Sequence, residues 1–515
     1  MSGSVKAAGF ALAFVLVASL AAVAAEQAAS TKPQVGTTTA PAPAEAQPAD
    51  YTSAEVGSVT VGQGKPSADT ETWPQFRGAN RDAIATAASV KKIYRTWPEG
   101  GPKVLWSIEN LGEGYSGAAI FGGRVFFHDY DKASRQWSIR CVSLADGQEI
   151  WRWSYTHEIN INHGFTRTVP ATDGKTVISM DPKLVLHAFD VASGKRLWAI
   201  DLTRKYGATI PGWYNGQCPL LEGDHIILAV GGRKVLMTAL DLRTGKMIWE
   251  TPNPHGQPAP HSSVMPFTTA GGEKEYVLST LKGALGVRAS DGALRWEALG
   301  EAAYAQATKK ADPAEKLSSA LVSIPWQPKV AQVPSPLDLG AGKLFLTTGY
   351  KIGSVALEIP ASDPPAPKVL YSLAGQSKPA DDQAAADQAG AIEQGVFETD
   401  CHTPLLYQGH LYAVDHGVDK HQGVFACLDP NGKILWRHMD VPLSLGTSLL
   451  ADGLIFLEEG NTGNIRLIAA DPAGYRELGL KKLNLGNDAW GPMAYANGKL
   501  VVRGLTKLVC LQVGE

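Results

Sequence analysis

Five times along the chain a short run of alternating apolar positions enters a glycine turn and leaves it in a second run that ends on Trp. The copies are 142–151, 188–198, 239–249, 287–296 and 426–436, ending on Trp151, Trp198, Trp249, Trp296 and Trp436. Alternation marks half-buried strands, and a small polar residue followed by Gly marks the reversal between them. The Asp146-Gly147 and Asp291-Gly292 forms predict a two-residue hairpin turn with φ positive at both central positions.

The first four Trp residues follow one another at 47, 51 and 47 residues. That is the length of a four-stranded propeller blade, roughly 40–50 residues. A degraded copy around 355–371, ending on Tyr371, and a fainter one at 465–485 through Leu478 extend the series. Two insertions, about 300–329 and 375–397, account for the long gap between Trp296 and Trp436. They are rich in Ala, Lys, Glu, Asp and Gln and read as surface loops or short helices. Strand 103–108 carries Trp106, one period before Trp151, and has no partner before it. Strand 507–513 carries Cys510 and has no partner after it. Pairing these two closes a ring and removes its open edges. The sequence therefore predicts an all-β, eight-bladed propeller of four-stranded antiparallel blades, with seven blades as the variant if the faint copy is not one. Each Trp is expected to pack between neighbouring blades.

Composition agrees with many short strands: of 515 residues 54 are Gly, 32 are Pro and 44% are hydrophobic. A net charge of −3 without a Lys/Arg run argues against a nucleic-acid surface. Residues 1–25 have the charge, apolar run and small-residue end of a signal peptide, with an uncleaved anchor as the other reading. Residues 26–72, rich in Ala, Pro and Thr, read as a disordered linker. The propeller, 73–515, is expected to be exported to the periplasm or the extracellular space, with only indirect membrane contact.

The folded part opens on Trp73-Pro74-Gln75-Phe76-Arg77-Gly78-Ala79-Asn80-Arg81-Asp82. This segment, followed by the Gly-x-Leu-x-Trp repeats, resembles the pyrroloquinoline-quinone-like β-propeller family. That family includes the outer-membrane assembly propellers of the BamB type and the quinoprotein alcohol dehydrogenases. In many relatives Gly follows the Arg-Asp pair; here it is Ala83. The resemblance implies two functions. One is a non-catalytic scaffold that binds a protein or another envelope component. The alternative is an oxidoreductase using pyrroloquinoline quinone (PQQ) and Ca²⁺ on an alcohol or sugar. Carbohydrate binding at an aromatic channel mouth is a third. No Cys-x-x-Cys-His occurs, so covalent haem is excluded. The adjacent Cys pair of several quinoproteins is absent too. Cys141, Cys427 and Cys510 sit in the apolar strand of the repeat as small hydrophobes, and a Cys401–Cys427 disulfide within one blade is an open possibility.

In the repeat register, the segments that lead into each innermost strand reach one end of the central channel. They are 113–116, 163–167, 213–217, 261–263, 398–402, 444–448 and 487–490, and they are rich in aromatic, His, Asn and acidic residues. Rim loops on a rigid scaffold are where sites are built. Arg167, Trp213, Tyr214, Asn215, His261, His402 and Trp490 are the candidate cofactor-binding residues. Glu398, Asp400, Asn487 and Asp488 are the candidate Ca²⁺ ligands, because that ion takes six to eight oxygens. Asp400 is the candidate base.

Overall fold

A computed structural model of the chain describes residues 56–160, 163–310, 319–326, 331–373, 396–418, 422–440 and 443–515. The expected signal peptide, and most of the second insertion, lie outside the described residues. The described residues form eight four-stranded antiparallel sheets, three of them carrying a fifth strand. They are the eight blades of a β-propeller. The outermost strands are Glu149–Thr156, Arg196–Asp201, Met247–Pro252, Leu294–Gly300, Lys368–Ser372, Ile434–His438, Glu477–Lys481 and Lys103–Ile108. These hold Trp151, Trp198, Trp249, Trp296, Tyr371, Trp436, Leu478 and Trp106 in turn, so the faint seventh copy is a blade. Ring closure follows the expected pairing: Lys103–Ile108 lies antiparallel to Leu508–Gln512, with Trp106 opposite Cys510.

The core lies between blades rather than within them. Ile178, Leu186 and Trp198 of the second blade form one buried cluster with Ile226, Leu228 and Leu240 of the third. Trp249 joins the third blade to the fourth, and Trp296 joins the fourth to the fifth. Such a ring is stabilised chiefly by nearest-neighbour interfaces.

The turns differ from the two-residue form expected. Gly147 has φ +72°, whereas Asp146 is not among the residues with positive φ. The reversal is wider: Ser143 N donates to Gln148 O at 2.9 Å and Gly147 N donates back to Ser143 O at 2.9 Å. The Asp146 side chain accepts from Gln148 N at 3.0 Å. One left-handed residue suffices, and the Asp serves as a side-chain acceptor. The same pattern closes the Asp190–Lys195 and Asp241–Lys246 turns.

The segment expected to be linker is ordered in part. Ser58–Val61 forms a fifth strand against the outer strand of the first blade, with Ser58 opposite Ser154. The first insertion contributes helix Glu301–Lys310 and strand Ala320–Ile324, which runs parallel to the outer strand of the fourth blade. All five cysteines are free, so Cys401 and Cys427 form no disulfide. No helix among the described residues is long and apolar enough to cross a membrane.

Trp151 is 1% exposed, and Leu197 on the next outer strand is 41% exposed. Truncating Trp151 to Ala is expected to lower stability by about 3–5 kcal/mol, whereas Leu197→Ala stays within about 0.5 kcal/mol. Equilibrium unfolding in urea separates the two.

Candidate functional site

The segment 73–82 crosses the central channel and ties inner strands that are far apart in the ring. Trp73 bridges to Ile120 of the first blade, and Thr172 N of the second donates to Pro74 O at 2.9 Å. Arg81 donates to Pro219 O at 2.9 Å and to Cys218 O at 3.1 Å, on the third blade. Arg77 donates to Thr403 O and Pro404 O, each at 2.8 Å, on the sixth. Ile84–Ala85 then pairs with Leu450 and Ala451 of the seventh. Both guanidiniums are buried, and burial pulls each down to about 10. Backbone carbonyls at strand ends take most of their N–H groups in place of carboxylates, leaving Arg81 Nε without a partner. Ala83 sits at φ +60°, a conformation that suits Gly.

Above this plug opens a cavity of about 290 Å³. All seven rim segments chosen from the repeat register line it, through Tyr115, Arg167, Trp213, His261, Asp400, Leu445 and Trp490 among others. Of the candidate residues, Arg167, Trp213, His261, Asp400, His402 and Trp490 line the wall. Tyr214 and Asn215 do not. Tyr214 OH accepts from Asn160 N at 3.0 Å and so ties its loop to the one after the first blade's outer strand, and Asn215 Oδ1 accepts from Gln217 N at 3.1 Å within its own loop. The lining also includes Phe76 and Arg77 from the plug, and His163, Cys218, Tyr350 and Cys401. The fifth blade contributes Ala331, Val333 and Ser335, which the first insertion hid in the sequence.

A belt of side-chain acceptors holds the rim in register. Val169 N donates to Cys218 Sγ at 3.2 Å, and Cys218 N to Ser263 Oγ at 2.9 Å. Ser263 N donates to Ser335 Oγ, and Ser335 N to Thr403 Oγ1, each at 2.9 Å. One position of the repeat thus links each blade to the next from the second to the sixth. One wall is layered: Tyr115 stacks on Trp490 with centroids 4.8 Å apart, and the Arg167 guanidinium carbon lies 5.6 Å from the Tyr115 ring centre. Burial pulls Arg167 down to about 10 and His402 down to about 4, so His402 is neutral at pH 7. His163, Trp213, Tyr214, Tyr350, Asp400 and Asp488 all have φ between +51° and +67°. Such non-glycine strain costs of order 1–3 kcal/mol per residue and concentrates at functional sites.

The four expected ion ligands do not gather. Only Asp400 lines the cavity. Its carboxyl lies where a side chain at Gly349 would collide with it, and burial raises its pKa against the opposing pull of His416. Glu398 accepts from Lys351 N at 2.8 Å and Gly353 N at 3.1 Å, and burial pushes it up to about 7. Asn487 and Asp488 lie outside the lining. Among the described residues no three His, Cys, Asp or Glu side chains are arranged to hold a metal ion. Of the four, the cavity therefore offers an ion Asp400 alone, and an aromatic wall beside a guanidinium suits a planar anion.

A family model described as outer membrane protein assembly factor BamB matches residues 135–314. Over 138 residues the chain is 30% identical to the 1-butanol dehydrogenase (cytochrome c) of Thauera butanivorans, a match covering 25% of this chain and 18% of that protein's length. Quinohemoprotein alcohol dehydrogenase from Comamonas testosteroni has the same fold, with a TM-score of 0.51 and 13% identity over 86% of this chain and 81% of that one. BamB from Moraxella catarrhalis is similar at a TM-score of 0.48 and 11% identity, over 80% of this chain and 99% of that one.

Two predictions follow from the rim. Glu398 binds its proton more tightly folded than unfolded, so its contribution to stability is present at low pH and fades as pH rises from the ordinary carboxylate range through about 7. Glu398→Gln is expected to remove that slope: the wild type loses about 3 kcal/mol relative to the variant across this window, as read from urea midpoints at several pH values. Burial also raises the Cys401 and Cys218 thiols. Ellman's reagent is therefore expected to react slowly with the native protein and to count all five thiols once it is unfolded.

Proposed function

From a propeller of PQQ-like repeats, related both to the BamB scaffold and to the quinoprotein alcohol dehydrogenases, we propose that this chain is an exported binding protein of the cell envelope. Residues 1–25 direct it there, and its partners are proteins that it holds at the propeller's periphery. The observation that carries this reading is that two blades already hold an extra strand on their outer edge. Ser58–Val61 pairs with the first blade and Ala320–Ile324 with the fourth. The second and third blades, between them, present Leu197, Met247 and Ile248 on outer strands, with Met247 50% exposed. An open edge bearing apolar side chains suits strand addition by a partner's extended segment.

The second reading is a dehydrogenase using PQQ. It is favoured by the stretch shared with the 1-butanol dehydrogenase and by the Arg167, Tyr115 and Trp490 wall. The scattered carboxylates weigh against its Ca²⁺-dependent form. One comparison decides between them. Purified protein is incubated with PQQ and Ca²⁺, desalted, and assayed for dye reduction with 1-butanol. In parallel, Leu197→Lys, Met247→Lys and Ile248→Lys are combined and membrane-fraction association is measured. The binding reading expects no retained quinone, no dye reduction, and loss of association in the triple variant. Retained quinone with alcohol-dependent dye reduction would replace it by the oxidoreductase.

A further inference from the structure

The two extra outer strands are held in different ways. Ala320–Ile324 belongs to the interior: Ala320, Val322 and Ile324 all pack into the core cluster between the fourth and fifth blades. Ser58–Val61 is laid on the first blade from outside. All four of its side chains are exposed, Val61 at 74%, and Val56 just before it is 94% exposed. Apolar burial therefore contributes little to holding it. Its hold is the backbone ladder to Trp151–Ser154, continued where Gly62 N donates to Ile150 O and Gly64 N to Glu149 O, each at 2.9 Å.

Three glycines shape that contact. A side-chain carbon at Gly57 would collide with the Trp153 ring, at Gly62 with the Glu149 carbonyl, and at Gly64 with the Gln148 carbonyl. None of the three has a positive φ, so glycine serves here for close approach alone. The edge of the first blade thus accepts a pattern: Gly, four residues of strand, Gly, one residue, Gly. The chain downstream is fixed by its own anchors. Asp69 pairs with Lys499 at 2.9 Å, and the buried Trp73 bridges to Ile120. Neither anchor requires Ser58–Val61 to stay in place.

We propose that the outer edge of the first blade is a docking edge for an extended segment of a partner protein with glycines at this spacing, and that Ser58–Val61 occupies the edge in cis until such a segment displaces it. A strand that pairs with an edge while burying no side chain of its own protects the edge without sealing it. The inference rests on the reading of the chain as a binding protein. It adds a sequence pattern and a competitor from the chain itself to the strand addition proposed there.

The probe is a fluorescein-labelled peptide, Gly-Ser-Val-Thr-Val-Gly-Gln-Gly, the sequence of residues 57–64, followed by anisotropy with the purified protein. The control peptide has Val at its sixth position. In the wild type the cis strand competes at an effective concentration of order mM. Gly62→Val detaches it by collision, and Thr60→Pro detaches it independently by removing a ladder donor. The expected result is binding of the peptide at least about tenfold tighter by either variant than by the wild type, no binding of the control peptide, and slower amide exchange in Glu149–Thr156 once the peptide is bound. Melting temperatures are expected to be unchanged. Variants that bind the peptide no better than the wild type, or a control peptide bound as well as the probe, would overturn the proposal. So would a fall in melting temperature in both variants, which would make the strand a fixed part of the blade. A wild type that elutes as a dimer beside a monomeric Gly62→Val would assign the edge to a second copy of the chain and overturn it too. The assay uses neither the edges of the second and third blades nor a membrane fraction. Its failure therefore leaves the envelope-binding reading standing, and failure of that reading leaves the peptide result interpretable.

Discussion

The ring depends on one contact repeated around it: an outer-strand aromatic ring lying on the glycine of the next blade's turn. A side-chain carbon at Gly194 would sit 2.5 Å from the Trp151 ring, at Gly147 2.9 Å from Trp106, at Gly245 3.0 Å from Trp198, and at Gly432 2.5 Å from Tyr371. The same glycines hold φ between +66° and +85°. Glycine is therefore required twice over, once for the backbone and once for the neighbour's ring. Where geometry allows, the indole also donates to that turn: Trp106 Nε1 to Leu144 O at 3.0 Å and Trp151 Nε1 to Val191 O at 2.9 Å. The fourth blade departs from the rule. Trp296 instead donates to Glu275 Oε2 within its own blade at 2.8 Å.

This contact explains why so much of the architecture was legible in the chain. Turn glycine and strand tryptophan are one constraint written at two positions, so the motif stays intact wherever two blades meet in that manner. The closing strand was legible for the same reason, because Trp106 keeps the period although its blade is split between the chain's two ends. The rim was legible as a set of segments, since strand register fixes which loops reach the channel. It was not legible residue by residue. Trp213 faces the cavity while Tyr214 bonds a neighbouring loop and Asn215 its own, and Asp400 faces it while Glu398 caps two backbone amides. Neighbours in an irregular loop point to different places, and composition carries no record of which.

The plug was hidden for another reason. Segment 73–82 has no strand or helix period, and its partners are backbone carbonyls and strand ends far along the chain. Arg77 and Arg81 are buried there and donate to the Thr403, Pro404, Cys218 and Pro219 carbonyls. Ser58–Val61 was missed because four residues of strand inside a Pro- and Ala-rich stretch change its composition little. The plug also floors the aromatic cavity, through Phe76 and Arg77. A scaffold with such a mouth and with outer edges that accept strands has several separate surfaces on which function can be placed.

If the contact of Trp106 with Gly147 holds the ring shut, its loss is felt first in the closing strand pair that carries Trp106 and in the turn it covers. Native-state hydrogen exchange of Trp106→Ala, compared with the wild type, tests this most directly. The account predicts that protection falls in Lys103–Ile108, in Leu508–Gln512 and in the turn around Gly147, while the fourth and fifth blades, across the ring, keep theirs. Unchanged protection in those three segments would mean that the ring is closed by something other than this contact.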